Sequence, residues 1–286
     1  MLRFAAEFDM DIFWKTDSDV RKFLEVHADR MNDIPQERWG REIMKGLIRR
    51  PYRFISMCDT YGILPFFLKD LEDMKKAPDG KGGNIFSHVM NLLAVIEARL
   101  DTNKIIQSDA FVLAGLLWYV VVKGAEITST DKARDRAISD CLTRWNITSE
   151  TIDNVTAILN NYNFFYTPVN EEEFCHQVLN YSRKAILVGL QFAKCVAIAE
   201  GTLDEYRDVL ENNTWNLNQV IRRFNTVELQ TEGSTRYMTG REIMSLLHMK
   251  PGKRVGELLE GLDLAVGVGK VGSRAAAEEW LKSQSA

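Results

Sequence analysis

Four cations, Arg38, Arg41, Lys45 and Arg49, recur at steps of three and four residues after Pro35. On a helix that spacing lines one stripe, with the apolar Ile43, Met44 and Leu47 on the opposite side. A row of arginine and lysine at that pitch can meet the phosphates of a nucleic-acid backbone. The same row also reads as a solvated face, with Glu42 beside it as an internal ion-pair partner. A second cationic group runs from Lys250 to Arg254, with the sequence KPGKR, at the entry to a helix. Free amides and the positive end of the macrodipole attract anions at such an entry, while Lys253 and Arg254 oppose the dipole of their own helix. Gly252 would let the backbone approach a phosphate closely. A turn that is merely basic is the other reading.

Chemistry of other kinds leaves little trace. The chain holds no Walker-type phosphate loop, no GxSxG nucleophile elbow and no HExxH zinc motif. Its four histidines, His27, His88, His176 and His248, are scattered, and the adjacent Cys175 and His176 cannot share one helical face. Cys58, Cys141, Cys175 and Cys195 lack the short spacings of a zinc site and read as buried thiols of a reducing compartment. The aromatic cluster Tyr162, Phe164, Phe165 and Tyr166 before Pro168 reads as core packing, with a base-stacking platform as the alternative.

The elements that must carry these residues are helical. At 286 residues, 45% apolar and 27% charged, the chain is long enough for about two compact units and too apolar for disorder. A formal charge of −4 gives no global positive field, so any nucleic-acid contact must be a local patch. The uncharged run from Ala110 to Val122 is shorter than the roughly 20 residues of a membrane span and reads as a buried helix, with a strand as the alternative at its valines. No export signal or membrane partner is expected, and the expected location is cytoplasmic. Apolar positions after Asp17, a helix between Pro35 and Pro51, a helical hairpin over 53–74 and a loop from Ala77 to Asn84 outline the N-terminal part. Thr239 and Glu242 form the S/T-x-x-E pattern of a capping box, opening a short helix to Met249. The expected fold is all-α, in segments 1–76, 77–230 and 231–286.

Four segments carry a resemblance to a known family. They are Leu2 to Ala6 (LRFAA), Ile34 to Leu47 (IPQERWGREIMKGL), Met238 to Met244 (MTGREIM) and Lys250 to Leu259 (KPGKRVGELL). In order and spacing they resemble the neck and tail of bacterial class II tRNA nucleotidyltransferases, the CCA-adding enzymes, and the related poly(A) polymerases. Their patterns there read RFAA, PERxxxExxKxL, GxxLM and xPGxxIGxxL. The middle looks like a degenerate HD-type segment. Ile85 to His88 resembles its first histidine helix, and Leu116 to Tyr119 reads LLWY where an active member has LLHD. Trp118 and Tyr119 cannot replace imidazole and carboxylate as metal ligands.

The resemblance implies an elongated neck, body and tail that grip a structured RNA, above all the acceptor and T-arm region of tRNA, during 3′-end CCA addition or maturation. The RNA-binding residues it points to are Arg38, Arg41, Lys45 and Arg49, and Lys250, Gly252, Lys253 and Arg254. Arg3 matches an arginine of the family's nucleotide-contacting ladder. The family's catalytic head, with its GS, DxD and EDxxR motifs, precedes RFAA and is absent from this sequence. It is expected as a separate polypeptide or as part of a longer protein. This chain alone is therefore expected to add no nucleotides and to hold no cofactor, with Mg and ATP or CTP belonging to the head. Two rival readings remain open: a poly(A) polymerase-like grip on general RNA 3′ ends, and a helical scaffold that has lost RNA binding.

Overall fold

Proline sets the first breaks. Pro51 brings no amide donor and pushes Arg50 out of the helical region, to φ −138° and ψ 65°. One helix therefore ends at Leu47 and the next begins at Pro51. The structure, a computed structural model, describes residues 14–78, 83–102, 109–127, 131–180, 183–231 and 234–284. Among them every regular element is helical; an isolated bridge between Pro78 and Asn84 closes the base of the expected loop. The fold is all-α.

The helices in chain order are α1 (Trp14–Met31), α2 (Gln36–Leu47), α3 (Pro51–Thr60), α4 (Leu64–Phe67), α5 (Lys69–Asp73), α6 (Ile85–Asp101), α7 (Asp109–Ile127), α8 (Asp131–Arg144) and α9 (Ser149–Asn161). A 3-10 turn (Tyr162–Tyr166) follows, then α10 (Glu171–Asn180), α11 (Arg183–Ala199), α12 (Leu203–Gln230), α13 (Gly240–Leu247), α14 (Lys253–Gly267) and α15 (Arg274–Ser283). By packing they fall into two compact units, one from Met1–Asn163 with Gln191–Glu205, the other from Phe164–Leu190 with Tyr206–Ala286. Neither sequence boundary, 76/77 or 230/231, coincides with a boundary of these units.

In the first unit α7 is central. Phe111, Val112, Leu113, Leu116, Leu117 and Trp118 are all buried along it, and α6, α8 and α9 pack around it. The run that left helix and strand open is thus a helix, and over 110–118, where its side chains are described, it is apolar on all sides because it is enclosed on all sides. Phe111 and Tyr162 meet Phe192 edge-on at 5.6 and 5.8 Å, and Trp118 meets Tyr162 at 6.1 Å. Such pairs add to burial through their quadrupoles. Trp118 belongs to this core; the side chain of Tyr119 lies outside the described residues.

In the second unit α10, α13 and α15 pack on α14. A buried asparagine ties the chain before α10 to α12. Asn213 Oδ1 accepts from the Val169 amide at 2.9 Å, and its Nδ2 donates to the carbonyls of Phe165 and Thr167 at 3.0 and 2.8 Å. Three backbone groups that would otherwise be stranded in the interior find partners on one side chain. Phe165 and Phe174 stack beside it at 6.2 Å, and Tyr166 meets Tyr206 at 4.6 Å. Most of the aromatic cluster is core, with Tyr162 and Phe165 buried and Phe164 and Tyr166 half-buried.

Candidate functional site

The cationic stripe stands on α2, and glycine sets how that helix lies. Gly40, Ile43, Gly46 and Leu47 form its buried side. A Cβ on Gly40 would fall within 2.7 Å of Trp145 Cα and against its carbonyl oxygen, and one on Gly46 would fall within 2.6 Å of the Phe54 ring. The helix therefore presses backbone-close on the Trp145 segment and on α3, and its other side faces solvent. Arg38, Arg41 and Lys45 all occupy that outer side and are exposed. Lys45 Nζ donates to Glu42 Oε1 at 2.8 Å, the internal pair the sequence suggested. Arg38 and Arg41 meet no acidic side chain among the described residues.

Arg49 departs from the expectation. It is exposed but lies beyond the end of α2, in the turn that Pro51 enforces, so it does not continue the helical stripe. The stripe is a triad of Arg38, Arg41 and Lys45, with Arg49 on the following turn. Arg3 lies outside the described residues.

The second cationic group, in the other unit, sits where the sequence placed it. Gly252 is the N-cap of α14 and offers no side-chain hydrogen bond to the first turn. Its backbone is extended, at φ 171° and ψ −178°, and a Cβ there would meet nothing within 4 Å. Among the described residues no neighbour demands a glycine at this position. Lys250 is exposed and makes no ion pair among the described residues.

Lys253 and Arg254 are less adverse to their helix than the dipole alone suggests. Glu257, one turn on, lies 3.8 Å from Lys253 Nζ and 3.3 Å from Arg254 Nη1. Arg254 also donates through Nη2 to the Gln284 carbonyl at 3.0 Å, at the C-terminal end of α15. There its charge is favourable, because the carbonyl end of a helix attracts cations. Arg254 thus has a structural task, whereas Lys253, with its side chain 94% exposed, makes only the loose solvent-exposed pair with Glu257.

Just before this turn the expected capping box is present. Thr239 Oγ1 accepts from the Glu242 amide at 3.4 Å while Glu242 Oε2 accepts from the Thr239 amide at 2.7 Å. Arg274 adds a 2.5 Å ion pair on the other carboxylate oxygen. The Thr239 amide first, and the Arg274 guanidinium next, hold the Glu242 carboxyl down at about 2. The helix it opens stops at Leu247 rather than Met249, because His248 takes the left-handed conformation at φ 53°.

Other groups that could have done chemistry are engaged in structure. His88 Nδ1 lies 2.9 Å from Glu200 Oε1. All four cysteines are free and buried, and burial pushes the thiols of Cys58, Cys175 and Cys195 up to about 12. Residues Gly267 to Gly272, GVGKVG, carry the glycine spacing of a dinucleotide loop, yet they follow a helix instead of a strand. They serve as a helix stop: Gly267 packs on Cys175 and Phe224, and Gly269 turns the chain at φ 81°. Among the described residues no three His, Cys, Asp or Glu side chains converge as a metal site, and no helix is long and apolar enough to cross a membrane.

Asp263 went unnoticed in the sequence. It is 5% exposed, and Arg236 holds it through Nε at 2.8 Å and Nη2 at 2.7 Å. Burial pushes its carboxyl upward and Arg236 pulls it back. The partners lie 27 residues apart, so no local pattern announces them.

Comparison with models of known protein families and with curated proteins finds no match to this chain.

Proposed function

We propose that this chain is the RNA-gripping portion of a protein resembling the tRNA nucleotidyltransferases and poly(A) polymerases. It binds a structured RNA, tRNA above all, and a head not contained in this sequence supplies the nucleotide chemistry. The observation that carries the reading is the outer side of α2. Arg38 and Arg41 stand exposed there and make no ion pair among the described residues, while Glu37 and Glu42 share the helix with them. Two guanidiniums about one helical turn apart and outside any ion pair among the described residues suit successive phosphates, because each presents a fork of donors matched to phosphate oxygens. Lys45, shared with Glu42, and Arg49, on the next turn, add charge at the same end.

The KPGKR turn supports the same reading in its own unit. Its helix start lacks a side-chain cap, no described residue crowds its glycine, and Lys250 and Lys253 reach into solvent. In this reading Arg3 belongs with the nucleotide site, and Mg with ATP or CTP belongs with the head. The chain's own residues bind and orient RNA without touching the reacting atoms.

Competition between tRNA and an unstructured RNA of equal length tests the proposal. The expected result is a labelled tRNA complex that unlabelled tRNA displaces more readily than the unstructured RNA does. Equal displacement favours a general grip on RNA 3′ ends, and no complex at low salt leaves the helical scaffold. Incorporation of CMP or AMP into tRNA is expected only when a head is supplied; robust incorporation by the chain alone contradicts the division of labour.

A further inference from the structure

Helix α12 buries Leu210, Leu217, Val220, Phe224 and Val227 on one side and turns Trp215 outward on the other, 64% exposed. A tryptophan this open in the middle of a long helix leaves a large apolar area in water. Asp208 lies seven residues before it and Arg222 seven residues after it. Seven residues are nearly two full turns, so the three share one stripe, with steps of about 10.5 Å along the axis. Asp208 and Arg222 are both exposed, and neither meets an oppositely charged side chain among the described residues.

Acid, tryptophan and base at equal steps are complementary to themselves. A second copy of the helix laid antiparallel, with the two-fold axis beside Trp215, brings the two Trp215 rings together. It also brings each Asp208 opposite the other copy's Arg222, so one pair of residues makes two ion pairs. On one flank Asn212 then faces Gln219, and on the other Glu211 faces Asn218, amide donors meeting acceptors in each case. A parallel arrangement would instead oppose like charges. We propose that this stripe of α12 is a self-association surface through which two copies of the chain form an isologous, closed dimer.

The charge pattern selects a second copy over RNA. Asp208 and Glu211 stand beside Trp215 and repel phosphates, whereas Asp208 is what Arg222 of a copy needs. One helix pair covers less than the roughly 800 Å² per partner of a standard stable interface, so the association expected is weak and concentration-dependent. The inference is independent of the RNA-binding reading.

Sedimentation of the full chain across a concentration series tests it. A monomer–dimer equilibrium is expected. Trp215→Ala and Arg222→Asp should each weaken it at least tenfold, and Asp208→Arg alone should do the same. Asp208→Arg combined with Arg222→Asp should restore the dimer, because the swapped charges again meet their opposites. That restoration also shows that the single variants lose contacts and not their fold. A chain monomeric throughout, a dimer indifferent to Arg222→Asp, or a double variant that stays monomeric overturns the proposal. So does a monomeric chain whose RNA affinity falls on Trp215→Ala, since RNA is then the occupant.

Discussion

Glu242 is held from two sides, by the Thr239 amide and hydroxyl and by Arg274, and this binds the start of α13 to the start of α15. Its carboxyl, normally near 4.5, is held at about 2 in the fold, so its ionised form is favoured by folding. The stabilisation is fully present above the unfolded value and is lost as pH falls from there through about 2. Glu242→Ala should therefore lower Tm at neutral pH, and the gap from wild type should close in acid; thermal melts from pH 7 to pH 2 read this directly. Lys253 and Arg254 separate in a similar way. Lys253→Ala should leave stability within about 0.5 kcal/mol of wild type, as an exposed substitution does. Arg254→Ala should lose more, because the Gln284 carbonyl at the end of α15 loses its donor. If phosphates meet this turn, tRNA titrations should show both variants weakened, although only one is destabilised.

At the scale of elements, the placement of α2 depends on having no side chain at Gly40. Gly40→Ala would set a methyl group against the Trp145 backbone, which cannot rotate away, and should cost about 1 to 3 kcal/mol of stability by chemical denaturation. No destabilisation would mean that α2 does not lie this close. This contact also shows where sequence reading stops. The helical character of α2, the buried run of α7, the Lys45–Glu42 pair and the capping box follow from local periodicity and short-range chemistry, and all were legible. The approach of Gly40 to Trp145, the three bonds of Asn213 and the Arg236–Asp263 pair join residues far apart in sequence, and no periodic pattern encodes them. Arg49 shows the intermediate case. Its spacing continued the stripe, yet Pro51 removes the helix beneath it, and the proline's steric demand outweighs the periodicity.

At the scale of the whole molecule, a formal charge of −4 leaves RNA affinity to local patches, and these must work against the average field. Affinity of that kind is carried by counterion release and falls steeply with salt. The direct measurement is a titration of tRNA against the wild-type chain and an Arg38→Ala, Arg41→Ala double variant at several salt concentrations. Both residues are exposed and make no ion pair among the described residues, so the variant should melt with the wild type. The account predicts weaker binding by the variant and a log K against log salt slope shallower by about 0.7 to 0.9 for each phosphate contact removed. A wild-type chain with no affinity at low salt, or a variant with unchanged affinity and slope, would contradict it.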